Sequence, residues 1–257
     1  MPRSTENCPS RTVTHLPRSR RLAPVRFGIF LCAWAWLGAA RAQEGRPTLY
    51  VFLQLDVKPN VLEQTLQKQL PSMAVTVFGR FRDFQDVVAT RRPDAILAIP
   101  PLLDLDHTKP ALQGAKGGRD WEAYVLVSAG GSNQPTSLSG KTVGVVDLLG
   151  HDGTQAFAAS MLKTPDIKVK RVAKIEDLLP LLEFSAADAI LLPGAVVKRL
   201  TERTRLPLAV RELPGAHVGL PAVAVLKPAI REMVVRSVQG LDAEAKNMLG
   251  IDNWSAR

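Results

Sequence analysis

The chain is 257 residues long, with 46% apolar residues and a formal charge of +9. That length allows one large or two small domains with a sizeable core, and excludes a mini-protein stapled by disulfides. The charge is uneven: residues 1–42 carry seven arginines and one acid, Glu6, leaving 26 basic against 23 acidic residues in 43–257. So mild an excess over the body of the chain argues against nucleic acid as a partner.

Residues 1–42 have the layout of a secretory signal peptide. A basic segment ending at Arg26 precedes the apolar run Phe27–Ala40, and Ala40-Arg41-Ala42 offers small residues at a cleavage position. Fourteen apolar residues are too few for a spanning helix, which needs about 20. Both cysteines, Cys8 and Cys32, lie in this leader. The exported chain would then have no disulfide, thiolate metal site or cysteine nucleophile.

After the leader, strands and helices alternate. Thr48–Leu55 predicts a strand, and 60–70 a helix with an Asn60-x-x-Glu63 capping pattern and Leu62, Leu66 and Leu70 on one face. Met73–Phe78 reads as a strand, Arg82–Thr90 as a helix, and Asp94–Ile99 as a strand stopped by Pro100-Pro101. Trp121–Ser128 is a further strand, ended by Ala129-Gly130-Gly131-Ser132. A second series follows: strand Lys141–Val146, loop 150–153, helix Thr154–Leu162, strand Ile167–Val172, and helix Ile175–Phe184, with a kink expected at Pro180. Strand Asp188–Leu192 stops at Pro193-Gly194, before helix Ala195–Arg203. Strands Leu208–Leu213 and Gly219–Leu226 precede helices at Pro228–Gln239 and Asp242–Leu249.

Two α/β series joined by a polar crossing imply an α/β fold of two lobes with a ligand cleft between them. The expected division is 1–42 leader, 43–131 with 216–257 as lobe 1, and 132–215 as an inserted lobe 2. Hinges fall near Gly130–Ser139 and Gly215–Gly219.

Four segments sharpen this reading: Ser137–Val145 (SLSGKTVGV), Ala187–Pro193 (ADAILLP), Gly219–Val225 (GLPAVAV) and Met248–Trp254 (MLGIDNW). In order and spacing they resemble the phosphate/phosphonate-binding group of type 2 periplasmic binding proteins, a match spanning residues 47–254. The resemblance implies a two-lobed receptor that captures a small polar or anionic solute in the periplasm. A membrane permease of an ABC transporter, or a sensor, would then recognise the loaded form, with the receptor a monomer. The chain departs from that group in its loop Gly150-His151-Asp152-Gly153-Thr154, which has one hydroxyl where the group carries several. Asp152 would also repel a dianion. Pro100-Pro101-Leu102 stands where a tyrosine is common.

The expected ligand contacts are Gln54 and Asp56 at the end of the first strand, Gly150, His151, Asp152, Gly153 and Thr154 opposite, and Pro100 and Pro193 shaping the wall. Two alternatives stand beside these contacts: Asp152 or Thr154 as a helix N-cap, and Asp56 as a loop cap. No catalytic residue is expected, since His151 and Asp152 are chain neighbours whose side chains diverge and no nucleophile elbow is present. No cofactor and no metal are expected either, because His107, His151 and His217 lack ligand spacing. Sparse aromatics, at 5%, disfavour sugars and quaternary amines. A ligand-free envelope accessory protein on the same fold is the alternative, and an enzyme of pyrimidine or pyrrole chemistry a more remote one.

Overall fold

A computed structural model describes residues 45–54, 57–105, 107–130 and 137–257. The expected signal peptide and both cysteines lie outside these residues. Residues 43–257 form one compact unit containing two separate sheets.

The first sheet begins with β1 (Thr48–Phe52), α1 (Pro59–Gln69), β2 (Ala74–Phe78), α2 (Phe81–Thr90) and β3 (Ala95–Ala98). β1 runs parallel to both β2 and β3. The expected capping box at Asn60 does not form. Pro59 occupies the first turn, where a missing N–H costs nothing, and the Glu63 carboxylate instead accepts from Val77 N at 2.8 Å. β3 ends before Pro100-Pro101, as expected, and the two prolines open the short helix α3 (Pro100–Leu105), which was not expected. β4 (Pro110–Ala115), absent from the sequence reading, follows it.

β5 (Trp121–Ala129) then enters the second sheet, with β6 (Thr142–Val146), α4 (Gly150–Leu162), β7 (Lys168–Val172), α5 (Leu178–Glu183), β8 (Ala189–Pro193), α6 (Val197–Arg203) and β9 (Leu208–Gly219). Its order is β7-β6-β8-β5-β9, with β6 parallel to β7 and β8, and β5 antiparallel to β8 and β9. Pro180 sits at the third residue of α5, within the first turn, so it removes no intrahelical bond. The chain returns to the first sheet through β10 (Ala222–Val225), α7 (Arg231–Gln239), α8 (Ala243–Met248) and β11 (Asn253–Ala256), completing the order β11-β4-β10-β3-β1-β2.

Strand pairing therefore puts both passages between sheets elsewhere than expected. The chain crosses at 116–120 and returns at 220–221, whereas the reading put β5 in lobe 1 and a hinge at Gly130–Ser139. β5 is drawn into the second sheet because it pairs along its length with β9. The two passages are tied to each other. Leu220 N donates to Asp120 O at 2.9 Å, Gly114 N to Pro221 O at 2.8 Å, and the buried Gln113 amide to Leu220 O at 2.7 Å.

Period-two alternation sends each strand's side chains to two layers. Leu49, Val51, Ala95 and Leu97 pack outward against α1, α7 and α8, while Val143, Val145, Tyr124 and Leu126 pack against α4. The opposite faces, with Tyr50, Phe52, Phe78, Phe81 and Phe84 from one sheet and Val125, Val146, Leu149, Ile190 and Leu192 from the other, share one apolar cluster. Phe81 from one sheet closes there onto Gly150 from the other: a Cβ on Gly150 would stand 2.8 Å from Phe81 Cε1, and Gly150 has φ +76°. Gly150→Ala is expected to destabilise the body by at least about 1–2 kcal/mol from the left-handed backbone alone. Urea unfolding measures this, and an unchanged midpoint would mean the lobes do not rest on that contact.

Candidate functional site

A cavity of about 570 Å³ opens between the sheets. Its walls come from strand ends: Phe52–Gln54 after β1, Ile99 after β3, Val145–Val146 of β6, and Leu191 and Pro193 of β8. The floor is the pair of passages, with Trp121–Tyr124 on one side and Gly219–Pro221 on the other. Strand C-terminal ends meeting between lobes are where α/β proteins gather ligands.

The charged lining is concentrated on one hairpin. The turn Lys116-Gly117-Gly118-Arg119 has φ +55° and +78° at its two glycines, as a tight hairpin matched to strand twist requires. Lys116 and Arg119 face each other across it, bonded N to O both ways at 2.8 and 3.0 Å. Gly117 N also donates to Asp252 Oδ2 at 2.8 Å, which anchors the turn to the C-terminal segment. Directly opposed residues project to one side, so two cations reach the cavity together. The Gly117-Gly118 pair was the available signal for this hairpin, and the sequence reading passed over it.

Glu122 completes the charged set. Burial raises its carboxyl above the ordinary value of 4.5, and Lys116 opposes that shift. Beside it, burial and then the Glu122 charge push the Tyr124 hydroxyl upward, so that group stays neutral. The Trp121 ring is stacked on His217 with centroids 3.8 Å apart, and the Arg119 guanidinium lies 5.3 Å from its centroid.

Of the residues expected from sequence, Gln54 and Pro193 line this cavity. Gln54 Nε2 is buried with no hydrogen-bond partner among the described residues, a state that costs free energy unless something occupies the cavity. Asp56 lies outside the described residues. Pro100 is off the lining, packed against Gly219, where an added Cβ would stand 2.5 Å from its Cγ.

The 150–154 segment departs furthest from expectation. It forms the first turn of α4 and not a loop, and it is absent from the cavity lining. Gly150 is covered by Phe81, and Gly153 rests on Leu149 Cβ. His151 and Asp152 are exposed, 4.0 Å from each other. Thr154 is fully buried: its hydroxyl donates to Asp147 Oδ1 and accepts from Leu149 N, both at 3.1 Å. That hydroxyl is spent on the β6–α4 connection. Among the described residues no three His, Cys, Asp or Glu side chains gather as metal ligands.

Two stability outcomes follow. Thr154→Val should cost about 1–3 kcal/mol in urea unfolding, since it strands Leu149 N and one Asp147 oxygen. Glu122 takes up protons more readily folded than unfolded, so its contribution is greatest below pH 4.5 and falls as pH rises through the raised folded value. Glu122→Gln should flatten that fall. Unfolding free energies at pH 4 and pH 7 check it, and an identical pH slope in both proteins would contradict it.

No protein-family model and no curated protein matches the chain. Solved structures do. The arginine-bound form of ArgBP from T. maritima is 18% identical, with TM-score 0.55 over 79% of this chain and 100% of that one. The protein Tv2483 bound to L-arginine is 13% identical, with TM-score 0.57 over 85% and 96%. The periplasmic VFT2 domain of Bordetella pertussis BvgS is 12% identical, with TM-score 0.53 over 83% and 97%. These likenesses establish the fold: a two-lobed α/β body of the type 2 periplasmic-binding-protein class.

Proposed function

We propose that the chain is an exported solute-binding receptor whose interlobe cavity captures a small zwitterion of amino-acid type. The observation that carries this reading is the unpartnered, buried Gln54 Nε2 in a cavity whose charges are Lys116, Arg119 and Glu122. A carboxylate end would meet the two cations of the hairpin, an ammonium end would meet Glu122, and Gln54 would donate from the opposite wall. The volume suits a ligand of that size. Two of the solved structures of this fold hold arginine, which supports the same class.

A phosphate- or phosphonate-like solute fits less well. The segment expected to hold it lies off the lining, and Thr154 has no hydroxyl to offer. The charged set is mixed in sign, whereas a dianion favours cations alone. Tyr124, Trp121 and the apolar walls would cover the body of an amino acid. The leader-like residues 1–42 support export, and a two-lobed body able to close on its ligand supports a permease or sensor that reads the loaded receptor.

Calorimetric titration of the ligand-stripped full chain with L-arginine and a panel of neutral and acidic amino acids tests the reading, with Trp121 fluorescence as an independent signal. Binding of at least one amino acid is expected. Gln54→Leu and Glu122→Gln should each weaken it on the order of tenfold or more. Silence across the panel would instead favour the ligand-free accessory protein.

A further inference from the structure

A second hollow, of about 210 Å³, lies between the lobes and shares no lining residue with the larger cavity. Arg80, Phe81 and Arg82, where β2 leads into α2, face Asp147 and Arg171 at the ends of β6 and β7. Three arginines thus border it against a single acidic residue, Asp147. That carboxylate is already engaged on both oxygens: Oδ1 accepts from Thr154 Oγ1 at 3.1 Å, and Oδ2 from Arg171 at 2.7 Å. Arg82 sits 3.8 Å from Asp86 with both side chains largely in water, a pairing of little strength. The Arg80 guanidinium has no hydrogen bond or ion pair among the described residues, and Arg171 keeps further N–H groups beyond its one bond to Asp147.

We infer that this hollow binds a compact multivalent oxyanion that bridges Arg80 and Arg82 of one lobe to Arg171 of the other. Guanidinium forks match oxyanion geometry and hold it in two directions at once. Positive groups from opposite lobes repel each other when the lobes meet, and an anion between them reverses that sign. The hollow is a gap between lobes and not a flat face, so the occupant is a free ion. The inference stands whatever the larger cavity holds.

Sulfate is the probe. The full chain is titrated with sodium sulfate against sodium chloride at matched ionic strength, by calorimetry and thermal unfolding. Saturable binding with a rise in Tm is expected for the wild type. Arg80→Gln removes a guanidinium from the first lobe, and Arg171→Lys keeps a charge beside Asp147 while losing the fork on the second. Each should weaken sulfate on the order of tenfold or more, with circular dichroism unchanged. Sulfate also stabilises proteins in general by exclusion from their surface. A linear, unsaturated rise in Tm, equal in wild type and both variants, would therefore overturn the site. Loss in only one of the two variants would overturn the bridge.

Discussion

The body depends on one apolar contact between its halves. Each sheet has its own outer core, but their facing sides share a continuous cluster in which Phe81 closes onto Gly150. Burial of apolar surface is the dominant favourable term in folding and is not directional. The lobes are therefore held by area, while the hydrogen-bonded passages at Asp120, Gln113 and Leu220 set their register. This division leaves polar groups free for other work at the cavity floor. Lys116, Arg119 and Glu122 stand on the hairpin that forms one passage, so the residues facing a solute also sit where the lobes are joined.

The same contact explains the fate of the Gly150–Thr154 segment. In the sequence it resembles a ligand loop because glycine and polar residues follow a buried strand. Folded, Gly150 must be glycine to take φ +76° under an aromatic ring, and Thr154 must be a hydroxyl to satisfy Leu149 N. Residue types chosen for backbone freedom and internal hydrogen bonding look the same, in a linear chain, as those chosen for ligand contact. His151 and Asp152 are polar for the simplest reason, which is exposure.

The two interlobe hollows differ in electrical character for a topological reason. Both sit at strand C-terminal ends. One is framed by the passages, whose hairpin brings mixed charge and aromatic rings. The other is framed by the ends of the edge strands β2 and β7, which carry Arg80, Arg82 and Arg171, and by Asp147 after β6. A single two-sheet architecture thus frames one hollow with charges of both signs and one in which arginines outnumber acids.

What the sequence determined by itself was the alternation. Apolar residues at spacing two or three to four dictate strand or helix locally, and parallel strands need crossover helices, so two α/β series imply two sheets. The cleft followed, and with it Gln54 and Pro193, because strand ends can be located from a run of Val, Leu and Ile and its stop. The tertiary structure alone decided where the chain crosses. β5 joins the second sheet through pairing with β9, some ninety residues later, and no local preference encodes a partner at that distance. It also decided which polar residues face the cavity, since Lys116, Arg119 and Glu122 converge only when that pairing folds the hairpin back between the lobes.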